Sequence, residues 1–164
     1  LVPLSEALET GAWLAVECPF DRSEPSSDYD DCNGGKPRMF RIRVTGFSKI
    51  DLSTIENPEQ LKLPLDANIW KLDLDVVNLC LRETSSSCLS SRLVLKDADG
   101  YEFVRCNDSY LSCYSDFANT SKLSEFHGEK LPPKIRRTGA LAFELPEEFV
   151  SLSLAVRKGG ICEA

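Results

Sequence analysis

Apolar and polar side chains alternate through most of this chain, and that one feature removes most folds from consideration. In IWKLDLDVVNL, Trp70, Leu72, Leu74 and Val76 fall on one side of an extended backbone, opposite Lys71, Asp73 and Asp75. Successive side chains of a strand point to opposite faces, so the pattern buries one face and solvates the other. RMFRIRVTGF repeats it, with Phe40, Ile42 and Val44 opposite Arg41, Arg43 and Thr45. GALAFEL aligns Leu141, Phe143 and Leu145, and FVSLSLAV aligns Val150, Leu152, Leu154 and Val156 against Ser151 and Ser153. AWLAVEC, from Ala12 to Cys18, and the two halves of RLVLKDADGYEFV, from Arg92 to Val104, add further strands. Roughly seven to eight strands between turn-rich segments predict an all-β chain, an immunoglobulin-like antiparallel β-sandwich. No amphipathic helical period of about twelve residues competes with that reading. STIENPEQLKL, from Ser53 to Leu63, could hold a short helical turn broken at Pro58, at a crossover between strands.

The break inside RLVLKDADGYEFV is a bend. Glycine accepts positive φ and aspartate tolerates it, so Asp99-Gly100 favours a hairpin, with Asp97 capping the turn through its side chain. A calcium loop needs more oxygen ligands than Asp97 and Asp99 supply. A catalytic carboxylate pair needs two different environments, which an exposed turn does not provide.

At 164 residues the chain is long enough for one domain, spanning residues 1–164, with a sizeable core. Its formal charge of −7 disfavours a phosphate backbone as partner, so nucleic acid is not expected. KIRR, Lys134 to Arg137, reads as the solvated face of a strand. No apolar run approaches the roughly 20 residues of a membrane span. The chain starts at Leu1 with no signal-like segment, so any secretory signal is expected to have been removed.

Seven cysteines bear on the compartment. None stands in C-x-x-C spacing, and His127 is the single histidine, so a metal site lacks ligands. Six of the seven are expected in three disulfides, which form outside the cytoplasm. Locality favours Cys18 with Cys32, Cys80 with Cys88 and Cys106 with Cys113, each closing one loop and stabilising by about 2–3 kcal/mol. Cys162 is left as a free thiol, an intermolecular link, or the partner of Cys18 or Cys32.

Long loops carry binding residues more often than regular elements do. Two are foreseen, Asp21 to Pro37 and Ser115 to Lys134. Within them Asp28, Asp30, Asp31, Phe117, Phe126 and His127 are the expected partner contacts. The spacing of DYDDCNGG departs from the EF-hand, so an acidic solvated loop is the reading, with an irregular calcium site as the alternative. His127 has no nucleophile or orienting acid assigned to it, and no G-x-S-x-G, P-loop or G-x-G-x-x-G motif occurs. Neither catalytic residues nor a cofactor are therefore expected. Trp13 and Trp70 are expected as core anchors.

The order of these features, IWKLDLDVVN ending in Asn78, then DADGYEF, LPPK, GALAFELP and a final short strand, resembles a known family. It is similar to the telokin-like, immunoglobulin-fold domains of bacterial secreted proteins and lipoproteins. That family is mostly of unknown function and is related in fold to a secreted mycobacterial immunoprotective antigen. The resemblance covers about Ile69 to Gly159, with Gly11 to Val44 as opening strands. It implies an extracytoplasmic, non-enzymatic domain and carries over no catalytic residue. The cysteine density and the acidic Asp21 to Asp31 insertion depart from the family's pattern. The expectation is an exported, periplasmic or secreted, binding module that contacts a protein or envelope component. The alternative is an inhibitor or immunity-type protein that blocks one enzyme with a loop.

Overall fold

Alternation produces strands here, and their apolar faces meet. The computed structural model describes residues 1–18, 38–51, 53, 66–105 and 130–163. In chain order the elements begin β1 (Val2–Pro3), α1 (Leu4–Thr10), β2 (Leu14–Cys18), β3 (Arg38–Lys49), β4 (Ile69–Asn78) and β5 (Thr84–Ser85). They continue α2 (Ser87–Arg92), β6 (Leu93–Lys96), β7 (Glu102–Phe103), β8 (Lys130–Leu131), β9 (Arg136–Glu144), β10 (Ser153–Val156) and β11 (Gly160–Glu163). Five strands pair in the order β11-β2-β3-β4-β9, and four in the order β1-β10-β6-β7, while β5 pairs with β8. Every strand pairing among the described residues is antiparallel.

One core joins the two larger sheets. Leu14, Val16, Phe40, Ile42, Leu72, Leu74, Val76, Leu141 and Phe143 come from the five-stranded sheet, and Leu93, Leu95, Leu154 and Val156 from the four-stranded one. This is the layering of a β-sandwich. Each fully buried side chain of this size contributes about 1.5–3 kcal/mol relative to exposure.

β3 holds its core face only by breaking the period. Ile42 stands opposite Val76 and Val44 opposite Leu74, but the register slips between Val44 and Gly46, so Phe47 faces Leu72. Uninterrupted alternation would have turned Gly46 and Ser48 inward; the extra residue, Thr45, brings Phe47 to the core side instead. A Cβ on Gly46 would stand 2.8 Å from Asp73 Oδ2, so glycine suits the bulge.

The Asp97 turn forms as foreseen. Asp97 Oδ1 accepts hydrogen bonds from the backbone N–H of Asp99 (3.0 Å) and of Tyr101 (2.9 Å), and Gly100 takes φ +88. The turn joins β6 to β7. Arg136 and Arg137 open β9 with exposed side chains, as the KIRR reading requires.

Other expectations are corrected. Val150 is 72% exposed, and the alternation of FVSLSLAV becomes a strand only at Ser153, because Ser151 adopts φ +56 and turns the chain. Serine-rich SCLSSR forms α2, a helix that no sequence pattern announced. α1 was not foreseen: its seven residues bury only Leu4 and Ala7, too few for a helical period to show. Trp13 is no core anchor; it is half-buried on the outer face of the five-stranded sheet.

Cys162 is exposed and free. Cys18 and Cys80 are disulfide-bonded, and no bridge joins two of the described cysteine side chains. Each of the three expected pairings includes a side chain outside the described residues.

Candidate binding site

α1 starts where β1 ends, and the clasp that holds it also shapes a cavity. Leu4 N–H donates to Leu152 O (2.9 Å), which draws the helix start onto the segment leading into β10. Gly11, at φ +59, ends the helix with its N–H on Ala7 O (3.1 Å), a left-handed termination that glycine accepts without strain. Between α1, the bulged end of β3 and the Phe149–Ser153 segment lies a cavity of about 530 Å³. Leu4, Leu8, Phe47, Phe149 and Leu152 give it an apolar lining, and Ser5, Ser151 and Ser153 add hydroxyl groups.

The aromatic wall is held rigidly. Phe47 stacks on Trp70 with ring centroids 4.8 Å apart, and Phe149 meets Trp70 edge-on at 5.2 Å. Both arrangements are favoured by the ring quadrupoles, on the order of 1 kcal/mol each beyond burial. Trp70 Nε1 donates to Asn68 Oδ1 (3.1 Å), and Asn68 Nδ2 donates to Pro146 O (2.8 Å). Asn68 O in turn accepts from Leu145 N–H (2.9 Å), so one asparagine locks the start of β4 to the end of β9. Trp70 is thus half-buried beneath the cavity wall, packed against the core rather than inside it.

None of the described residues lining this cavity is ionisable; what they offer is apolar burial and hydroxyl hydrogen bonding. A pocket of a few hundred Å³ with an apolar lining and few polar groups is the usual form of a binding site.

A second polar arrangement crosses the outer face of the five-stranded sheet. Arg43, Asp75 and Thr138 are direct cross-strand neighbours on β3, β4 and β9. Arg43 Nη2 donates to Asp75 Oδ2 (2.6 Å), and Thr138 Oγ1 donates to Asp75 Oδ1 (3.0 Å). The Arg43 guanidinium lies 4.7 Å from the Trp13 ring centre and that of Arg41 5.2 Å. With both carboxylate oxygens bonded and the cations on an aromatic face, this is a cross-strand brace.

The sequence-predicted contacts Asp28, Asp30, Asp31, Phe117, Phe126 and His127 all lie outside the described residues. Among the described residues no group of three or more His, Cys, Asp or Glu is placed to hold a metal ion. Sequence reasoning missed the cavity. Its one available signal was Phe47, an aromatic residue out of phase with Phe40, Ile42 and Val44.

No family model and no curated protein matches the chain. Among solved structures, MPT63, a secreted protein from Mycobacterium tuberculosis, resembles it at 13% identity and a TM-score of 0.44. The match covers 68% of this chain and 70% of that one. The likeness is distant. No helix among the described residues is long and apolar enough to cross a membrane.

Proposed function

We propose that this chain is an exported, immunoglobulin-like and non-catalytic binding module of the cell envelope or extracellular space. Its cavity beside α1 receives an uncharged apolar segment of a protein partner. The observation that carries the reading is the cavity itself, with its apolar lining of Leu4, Leu8, Phe47, Phe149 and Leu152, its serine hydroxyls and no ionisable group among the described lining residues. Export is supported by the bonded sulfurs of Cys18 and Cys80, since disulfides persist in oxidising compartments. A protein segment suits the site because Val150, 72% exposed, and Leu8, 37% exposed, extend the apolar surface beyond the cavity mouth.

The test is a paired capture from the envelope fraction of the source organism, with wild-type and Leu8→Glu baits. The charge at the mouth of the cavity leaves the core untouched and makes docking of an apolar segment costly. A partner held by the wild type and lost by the variant, whose apolar peptide quenches or shifts Trp70 fluorescence in a Trp13→Phe background, supports the reading. Identical partners on both baits refute it.

A further inference from the structure

We propose that β1 and α1 together form a strap that undocks about Gly11 and gates the cavity beside α1. The inference rests on that cavity being the binding site proposed above, and adds how a partner segment enters it. Pro3, Leu4, Ser5 and Leu8 line the cavity from the strap, whereas Phe47, Phe149 and the Ser151–Ser153 segment line it from the body of the sandwich.

The two walls differ in how firmly they are held. On the body side Phe47 stacks on Trp70, and β3 pairs with β4 from Phe40 to Lys49. On the strap side β1 has two residues, Val2 and Pro3, which pair with Leu154 and Ser153 of β10. Pro3 has no N–H to give that ladder. Beyond β1, Leu4 N–H bonds Leu152 O (2.9 Å). α1 buries Leu4 and Ala7, and Val2 is partly buried against the same core. Seven residues are too few for a helix to persist in water without docking, and no side-chain hydrogen bond caps its start. A segment with so few buried contacts opens locally, at a free energy below that of unfolding the sandwich.

Gly11 is the pivot. It ends α1 at φ +59, and no atom of the described residues lies within 4 Å of where a Cβ would stand, so its backbone turns in open space. Glycine leaves the left-handed region as readily as it enters it. Just past the pivot the chain is pinned, because the Arg41 and Arg43 guanidinium groups lie over the Trp13 ring at 5.2 and 4.7 Å. Between pivot and pin, Ala12 N–H bonds Thr10 Oγ1 at 3.3 Å, a long and exposed contact that a small rotation at Gly11 breaks. Undocking moves Leu4 and Leu8 away from the Phe47 and Leu152 wall, which opens the cavity from the side. Redocking returns both leucines onto an apolar segment that has entered, and burial of that segment favours the closed strap.

Residue-resolved hydrogen exchange by nuclear magnetic resonance tests the gate. Its reporter is the amide of Leu4, because the acceptor, Leu152 O, belongs to the body. In the wild type this amide should exchange through local opening, nearly independent of low urea. It should be faster than the amide of Leu74, which lies in a strand paired on both sides and awaits global unfolding. Gly11→Ala is strained at φ +59 only while the strap is docked, so it should speed Leu4 exchange about fivefold or more. Ile42→Val, a loss within the body, should speed Leu74 about fivefold while Leu4 keeps its rate. Saturation with N-phenyl-1-naphthylamine, an uncharged apolar dye, should slow Leu4 exchange. A Leu4 amide that exchanges with Leu74, and responds like it to urea and to Ile42→Val, would overturn the strap even where the dye binds and the cavity reading stands. An unchanged Leu4 rate in Gly11→Ala would remove the pivot and overturn the proposal as well. Local opening that the dye leaves unslowed would overturn the gate, and the paired capture with Leu8→Glu then decides the cavity reading by itself.

Discussion

Replacing Asn78 by alanine tests whether one buried amide organises the end of β4. The side chain makes two hydrogen bonds in buried surroundings, to Leu131 O (2.8 Å) and from Cys80 N–H (2.8 Å). A third, to Arg82 O (3.0 Å), is partly exposed. Each buried bond contributes about 1 kcal/mol net, and the exposed one about half of that. Leaving Leu131 O and Cys80 N–H without partners adds desolvation, so Asn78→Ala should cost about 3 kcal/mol. For a domain of this size that corresponds to a drop of about 6–12 °C in melting temperature. Asn78→Asp sharpens the test. It keeps the acceptor for Cys80 N–H but turns an anionic oxygen toward two carbonyls, so it should be less stable than the wild type at neutral pH. Burial beside those carbonyls raises the introduced carboxyl's pKa above the usual aspartate value of about 3.9. The folded state then holds the proton more tightly than the unfolded one, and stability falls as pH rises above that value. The Asn78→Asp variant should therefore approach the wild type as pH falls toward about 4. Urea unfolding without reductant, followed by tryptophan fluorescence, measures both variants. A loss below about 1 kcal/mol for Asn78→Ala, or a pH-independent deficit for Asn78→Asp, refutes the reasoning.

Two further outcomes follow from the brace and the sulfurs. Asp75→Ala should cost about 2 kcal/mol, discounted from a fully buried pair because the Arg43 side chain is 31% exposed. A double-mutant cycle with Arg43→Ala should give a coupling of about 1 kcal/mol or more, and simple additivity would show the pair to be inert. Thiol titration of the denatured, non-reduced chain should find one reactive group, mapped by alkylation to Cys162. A reactive thiol at Cys18 or Cys80 would contradict the bonding described here, and several reactive thiols would contradict the expectation of three disulfides.

Legibility in the sequence followed the range of the forces concerned. Leu72, Leu74 and Val76 could be placed because a strand's two faces are separated by a two-residue period, whatever lies nearby. The Asp97 turn could be placed because its hydrogen bonds close within five residues. Phe47 could not, since the bulge at Thr45 is set by pairing with β4, twenty-odd residues away in the chain. Ala140 and Ala142 are buried on the face away from the common core, where period alone assigns solvent. α1 escaped notice because it is held by Leu152 and not by a periodicity of its own. The expected loop contacts, Asp28, Asp30, Asp31, Phe117, Phe126 and His127, fall outside the described residues.

Local chemistry, then, determined by itself that this chain is built of strands, where one turn lies and which side chains seek the interior. Tertiary structure decided which strands neighbour one another, that an aromatic wall and a short helix border a cavity at one end, and that Lys134 N–H bonds Asn78 O at the other. The physical reason is that side-chain polarity acts residue by residue, whereas a cavity exists only once chain segments far apart in sequence are held side by side.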